Sequence, residues 1–455
     1  MTTTPENVLL IHWHDLGRHL NVYGAEGVVS PRTDELAGEG IVFTRAHAAA
    51  PLCSPSRGAL LTGRYPHDNG LIGLAHHGWK YKSDVQTLPQ LLSAEGWQTV
   101  LFGMQHESSH PETLGYDRFD VSNSYCDHVV AQAQEFLAGV GDTPFLLNAG
   151  FFETHRPYPH DQYDYADPGT VEIPPQLPDT PAVREDLAGF YGSITKADAA
   201  VGRLLGTLAH LGLDQSTWVV FFTDHGAAFP RAKSTLYDAG TGISFIVRPP
   251  RRRSISPGVY DELFSGVDLV PTLLDLLGVA VPEQVQGVSH AGQLFATDQP
   301  AARDVVFTEK TYHDTYDPIR AVRTRTHSYI ENYTERPLLD MPLDILDSLS
   351  GSAIGDAFEG PRPPRELYDL VADPGETANL ADQPDHHGVQ DELAQLLHAW
   401  RSTTEDSLPS DADGSALAAS NMIAYLKRHP QSPTVVQRSA LATDRGIEAA
   451  QGSKG

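Results

Sequence analysis

Four apolar runs of this chain each end in side chains that can bind a metal, hold an anion or move a proton. NVLLI (7–11) is followed by His12, His14 and Asp15, and WQTVLF (97–102) by His106 and Glu107. PFLLNAGFF (144–152) is followed by Glu153, His155 and Arg156, and TWVVFF (217–222) by Asp224 and His225. In an open α/β sheet the ligand crevice lies beyond the carboxyl ends of the strands. One such residue is ordinarily a solvated loop side chain. Four strand ends that bring carboxylates and imidazoles to one edge point to a metal site with anion-binding or acid–base groups around it. A fifth stretch, CSPSRGALLTG (53–63), reads as a helix start, with Cys53 or Ser54 near the cap, Pro55 in the first turn and a Gly stop. The free N–H groups and dipole of a helix N-terminus favour anions, and Arg57 adds a permanent positive charge. Cys53 therefore stands either where an anionic substrate binds or, as most free cysteines do, as an inert buried thiol. As a plain thiolate it matches hard, carboxylate-bound cations poorly.

The elements that must hold these groups are legible around them. The runs are mostly apolar and do not alternate, as strands buried on both faces do not. Helical segments lie between them: SPRTDELAGEG, TLPQLLSAEGW with its early Pro and Gly stop, and the long DLAGFYGSITKADAAVGRLLGTLAHLG. Strands alternating with helices predict an α/β fold over residues 1–302, with a large mixed, mostly parallel sheet flanked by helices. From about residue 303, DVVFTE, IRAVRTRTHSYIENY and ELYDLVADP read as shorter, partly alternating strands, and DELAQLLHAWRSTTE as a helix. They predict a smaller C-terminal α+β domain at 303–404. Residues 405–455, rich in Ser, Ala, Asp and Pro, read as an extension that is partly disordered.

The 455 residues, 40% of them hydrophobic, suffice for one large domain and a smaller one. A formal net charge of -27 argues against nucleic acid and disfavours long polyanions, unless a local basic pocket overrides the global field. The opening MTTTPENVLLIHWHD has neither the basic region nor the apolar run of a signal peptide. No segment approaches the roughly 18 apolar residues of a membrane span. The chain is thus expected to be soluble and cytoplasmic, with no membrane partner. Its two cysteines, Cys53 and Cys126, make no disulfide framework, which agrees with a reducing compartment. Cys126 reads as a bland residue of the loop SNSYCDH.

Cys53-Ser54-Pro55-Ser56-Arg57 has the C-x-P-S-R pattern of the sulfatases, and LLTGRYPH is similar to the run that comes after it in that family. NVLLIHWHDLGRHLNVYG resembles the family's first metal-binding strand, FGMQH its Gly-Lys-x-His element and FFETHRPYP its His-x-Pro-His region. FFTDHGAAFPRAKSTLYDAG resembles the second metal loop with its downstream lysine, and ELYDLVADPGETANLA the C-terminal signature. The resemblance covers roughly residues 5–400. It leans toward the heparan N-sulfatase (sulfamidase) branch, on CSPSRGALLTGRYPHDNGLIGL, the His155–Arg156 pair and FPRAKSTLY.

The resemblance implies an alkaline-phosphatase-like fold and a formylglycine made from Cys53 by a formylglycine-generating enzyme. It implies hydrolysis of a sulfate ester or sulfamate on a small sugar such as N-sulfoglucosamine. One hydroxyl of the aldehyde hydrate attacks sulfur, and the other then drives elimination of sulfate. It implies Asp15 and Asp224 as ligands of a divalent metal, with His225 in the fourth ligand position and residue 53 on the metal. Arg57 would stabilise the formylglycine and the anion, and His106 would hydrogen-bond the hydrate. His155 and Lys233 would bind the sulfuryl oxygens, one of them protonating the leaving group. Arg156 joins them as a substrate-binding residue.

Three positions depart from the family pattern. His14 precedes Asp15 where many relatives have a second Asp, His225 follows Asp224 where they often have Asn, and Met104 replaces the lysine. Two imidazoles, with His14 a candidate ligand, leave Mn²⁺ or Zn²⁺ open beside Ca²⁺. Glu107 is a candidate for the space beside Met104 and, with Arg156, a candidate substrate-binding residue. The Asp224–His225 pair also occurs in related phosphonate and phosphate hydrolases, so hydrolysis of phosphorus esters is an alternative. A non-catalytic binder of sulfated sugars is the reading if Cys53 remains a thiol.

Overall fold

The four apolar runs lie side by side at the centre of one sheet in the computed structural model, which describes residues 6–295 and 300–428. The sheet has eight strands: β1 (Asn7–Trp13), β2 (Ile41–His47), β3 (Gln98–Gly103), β4 (Arg118–Asp120), β5 (Phe145–Gly150), β6 (Thr217–Thr223), β7 (Phe245–Arg248) and β8 (Gly258–Ser265). Their order is β4-β3-β5-β1-β6-β7-β2-β8. β7 runs antiparallel to both neighbours, and the other pairs are parallel. β3, β5, β1 and β6 are therefore contiguous and parallel, so their carboxyl ends share one edge, as predicted.

β1, β5 and β6 are buried along their whole length, which is why their sequences do not alternate. Side chains still divide between the two faces with a period of two. Leu9, Ile11, Leu147 and Phe221 pack against the helices Cys126–Ala138 and Pro181–His210. Val8, Leu10, Leu146 and Val220 pack against Leu88–Ala94 and Leu269–Leu277. The long helix starts earlier than its apolar pattern suggests, because the Thr180 side chain accepts from the Val183 N–H and Pro181 opens the first turn. Cys126 is fully buried and is the first residue of a helix, not part of a loop. Its N–H donates to Glu153 Oε2 at 2.9 Å.

Gly150, the last residue of β5, has no room for a side chain. A Cβ there would lie 2.2 Å from the Met104 carbonyl oxygen and 2.5 Å from His12 Cε1. Gly150→Ala is expected to destabilise the fold by about 1–3 kcal/mol, read as a lower denaturation midpoint. An unchanged midpoint would show that the ends of β1 and β3 part freely.

The second sheet is antiparallel, with β9 (Val306–Tyr312), β10 (Tyr316–Arg323), β11 (His327–Asn332) and β12 (Arg365–Asp369) in the order β12-β11-β10-β9. One face packs under the helix His387–Thr403 through Leu393, Leu397 and Trp400. The other carries Ile319, Ile330 and Tyr368 against Leu236 and Tyr237, from the loop after β6. The small sheet thus supports a loop that reaches the carboxyl edge of the large one.

Part of the predicted extension is ordered as the helix Asp411–Arg428. Gly414 lies against the Tyr316 ring, where a Cβ would come within 2.5 Å. The Tyr425 ring stands 5.2 Å from those of both His76 and His77. Residues 429–455 lie outside the described residues. Among the described residues no helix is long and apolar enough to cross a membrane.

Candidate active site

Beyond β1 the chain turns at Asp15, whose φ is 56°. This brings the Asp15 N–H onto Asp224 Oδ1 at 2.9 Å, and the His225 N–H reaches the same oxygen at 2.9 Å. Asp224 Oδ2 receives Arg57 Nε at 3.0 Å. Arg57 Nη1 lies 2.8 Å from His12 Nδ1, which acts as the acceptor. The ends of β1 and β6 are thereby locked to the helix Cys53–Thr62, of which Cys53 is the first residue and Gly63, at φ 68°, the stop. No side chain caps that helix start, so its dipole acts on the site unscreened by a cap.

Cys53 Sγ is 3.4 Å from His225 Nε2. The other ring nitrogen, His225 Nδ1, is 2.9 Å from the Gly226 carbonyl oxygen. A carbonyl only accepts, so the ring proton resides on Nδ1 and Nε2 is a bare lone pair. That lone pair faces Asp15 Oδ1 at 3.2 Å and Asp224 Oδ2 at 3.6 Å. Three acceptors so placed repel one another unless a cation lies among them. His14 Nδ1 lies 2.8 Å from Asp15 Oδ1 and 3.2 Å from Asp224 Oδ2, a donor to them as the Nδ1–H tautomer and a further candidate ligand as the other. One ligand atom from each of His14, Asp15, Cys53, Asp224 and His225 lies within 4.8 Å of all the others. Hard carboxylates with imidazole fit a divalent cation.

A second group flanks the outer oxygen of Asp15. Lys233 Nζ donates to Asp15 Oδ2 at 2.7 Å and to Asp344 Oδ2 at 2.8 Å. His155 Nε2 stands 3.6 Å from Asp15 Oδ2 and 3.9 Å from Asp344 Oδ2. Asp344 comes from the short helix Leu343–Leu346, and nothing in its local sequence marks it. His106 lies next to His14, with ring centroids 5.8 Å apart. It stacks on His76, which it meets by a 3.0 Å contact between Nε2 and Nδ1. The His76–His77 doublet was the available sequence signal for this partner.

Two predicted substrate-binding residues are placed differently from the cluster. Glu107 is buried, and its carboxylate accepts the His106 N–H. Arg156 donates from Nε to the Ala228 carbonyl at 2.8 Å and from Nη2 to Asp186 Oδ2 at 2.8 Å, with Nη1 on the other Asp186 oxygen. It braces the His155 loop against the long helix. Asp186→Ala leaves that guanidinium buried without its counter-charge and is expected to cost about 3–5 kcal/mol. Urea unfolding measures this, and a loss below about 1 kcal/mol would show the pair to be solvent-screened.

Burial lowers the pKa of His12, His106 and His225, and that of His14 to about 4, so these rings are neutral at pH 7. Burial opposes ionisation of Asp15 and Asp224, but the Lys233 ammonium beside Asp15 and the Arg57 guanidinium beside Asp224 favour their charged forms. Both carboxyls lie below the usual range. Burial also opposes the charge of Lys233, yet Asp15 and Asp344 hold its pKa up. Burial, with Asp15 and Asp224, pushes the Cys53 thiol up, so it stays protonated. Once unfolded, the four imidazoles bind protons below their ordinary pKa of 6.5. The unfolded state then takes up more protons than the folded one, and stability falls as pH drops from about 7 toward 4. Melting temperature measured across that window should fall with acid; a flat profile would mean that the folded imidazoles are already protonated.

A family model described as Sulfatase matches residues 6–279 of this chain. The chain belongs to the sulfatase family. It is therefore a sulfuric-ester hydrolase by family, and the carboxyl-edge cluster is the sulfatase's candidate active site. The sulfatase is 28% identical over 468 residues to the N-sulphoglucosamine sulphohydrolase of Homo sapiens, covering 90% of this chain and 92% of that one. It is 30% identical over 441 residues to arylsulfatase A of Bos taurus, covering 84% of each. Its fold is shared with a 2-O GAG sulfatase at a TM-score of 0.68 and 24% identity, covering 88% of this chain and 93% of that one. A solved structure in complex with its substrate D-glucosamine-2-N,6-O-disulfate matches at a TM-score of 0.69 and 20% identity, covering 90% of the sulfatase and 99% of that chain.

Proposed function

We propose that this sulfatase hydrolyses a sulfate ester or sulfamate on a small sugar, N-sulfated glucosamine first among them, through a formylglycine made from Cys53 and a bound divalent metal. The observation that carries this reading is the place of Cys53: its Sγ lies 3.4 Å from the bare His225 Nε2, inside the cage of Asp15 and Asp224. As a protonated thiol it is a poor nucleophile there, so the position makes chemical sense once the side chain is modified. The likeness to N-sulphoglucosamine sulphohydrolase over 90% of the chain supports the N-sulfated substrate.

Asp15, Asp224 and His225, with His14 beside them, would hold the metal, Ca²⁺ in first place, and it would supply Lewis-acid stabilisation of negative oxygen. The formylglycine hydrate would supply the attacking hydroxyl and a second hydroxyl to release sulfate. Arg57 keeps Asp224 ionised and fixed by its 3.0 Å contact. Lys233 places a permanent positive charge beside Asp15, on the side where His155 also stands, so sulfuryl oxygens meet preorganised donors there. His155, with 23% of its side chain exposed, has the access needed to give a proton to the departing oxygen or nitrogen.

Intact-peptide mass spectrometry across residues 45–64 tests the modification. A loss of about 18 Da is expected, from exchange of CH₂SH for CHO in making the nucleophile; an unmodified thiol in native protein would favour a mere binder of sulfated sugars. Turnover of sulfate, sulfamate and phosphonate esters by one preparation tests the substrate class, and activity confined to phosphorus esters would overturn the sulfatase reaction. Chelation should remove activity and lower the melting temperature, since the three facing acceptors lose the cation that joins them. Re-addition of Ca²⁺, Mn²⁺ or Zn²⁺ one at a time identifies the metal.

A further inference from the structure

We infer that the cleft beside His155 and Asp344 is a subsite for one sugar ring that carries no anionic group besides the sulfate under attack. This subsite rests on the proposed sulfatase reaction and narrows its substrate. The cleft has a volume of about 500 Å³ and is lined by Arg156, Tyr165, Asp344, Asp347 and Leu349 among others. That volume lies within the range of small-ligand pockets. The cleft adjoins the reaction centre through Asp344, whose Oδ2 is 2.8 Å from Lys233 Nζ and 3.9 Å from His155 Nε2. A ring bound in the cleft can therefore extend its sulfate toward Lys233 and His155.

The lining chemistry suits a polyol. Tyr165 stacks on His160 at 3.9 Å between ring centroids and is half-buried, offering a supported aromatic face. Leu349, 48% exposed, adds a second apolar surface. Such surfaces take the C–H faces of a sugar, while carboxylates accept its hydroxyl protons. The charge balance decides which sugar. The Arg156 guanidinium is matched by both oxygens of Asp186. Lys233 is shared between Asp344 and the buried Asp15. Asp347 is exposed and among the described residues makes no ion pair. Among its described lining residues the cleft thus offers carboxylates and no uncommitted cation, on a chain whose net charge is already -27. A uronate carboxylate or a second sulfate entering it meets like charge and finds no partner.

The test compares kcat/KM of the metal-loaded, matured enzyme on glucosamine 2-N-sulfate and glucosamine 2-N,6-O-disulfate, with an aryl sulfate as reference. The monosulfate is expected to be preferred by about tenfold or more, with the preference shrinking as salt rises. Asp347→Asn should narrow the ratio several-fold by helping the disulfate. Equal rates on the two sugars, a ratio untouched by Asp347→Asn, or turnover of the aryl sulfate with neither sugar would each overturn the subsite. No turnover of any sulfate, the aryl ester included, would instead overturn the sulfatase reaction beneath it, and the subsite with it.

Discussion

Cys53→Ser is expected to abolish turnover of sulfated substrates, by about 10⁴-fold or more, in a protein that still folds. The side chain is 2% exposed, and serine is close to cysteine in size, so the unfolding free energy should change by no more than about 1 kcal/mol. The chemical reason for the loss is specific. A serine hydroxyl can take the sulfuryl group, but it has no second hydroxyl on the same carbon to push sulfate out again. The variant should therefore stop as a sulfate ester about 80 Da heavier, made in a single nucleophilic step. Sustained multiple turnover by Cys53→Ser would refute the role given to residue 53.

Lys233→Met carries the second large effect, and it falls on stability and activity together. The ammonium bridges Asp15 at 2.7 Å and Asp344 at 2.8 Å, and is itself 2% exposed. Its removal leaves a buried carboxylate without its cation, for which about 3–5 kcal/mol is expected. The metal-loaded form should lose less than the chelated form, because the metal also offsets Asp15. Turnover should fall by about 10²–10³-fold, as when one preorganised donor to a developing negative charge is lost. Lys233→Met combined with Asp344→Asn should be less destabilised than the sum of the single changes, since each removes the other's partner. Additive losses would mean that the two side chains do not act on each other.

The centre of the sheet was legible because strands buried on both faces cannot alternate. β1, β5 and β6 read as mostly apolar runs without alternation, and the residues just past each run stand at the ligand edge. The outer strands carry weaker signals. β7 has four residues, β4 has three and is mostly exposed, and β8 mixes exposed and buried positions. The ligand cluster was readable for the same reason as the strands: its members are local to strand ends and a helix start. Asp344 was not, because it arrives on a short helix whose place depends on packing far away in sequence, and His76, marked only as half of a histidine doublet, arrives on a single turn placed in the same way. The Arg156–Asp186 pair shows the same limit from the other side. A guanidinium next to a site histidine invites a substrate role, and only the long helix behind it shows that its charge is already matched.

The burial of Cys53 has a consequence for the order of events during biosynthesis. The thiol is closed in by His225 and Lys233, and Lys233 by Asp344, so the shell around it is complete only after most of the chain has been made. At ordinary rates of synthesis the stretch from Cys53 to Asp344 takes about 15–60 s to emerge. On the proposed maturation of Cys53, a modifying enzyme would have that interval in which to work, and would afterwards meet a side chain only 2% exposed. The fraction of active molecules would then be set by a race between modification and folding, and a maturing enzyme supplied to the finished, folded chain would come too late to change it.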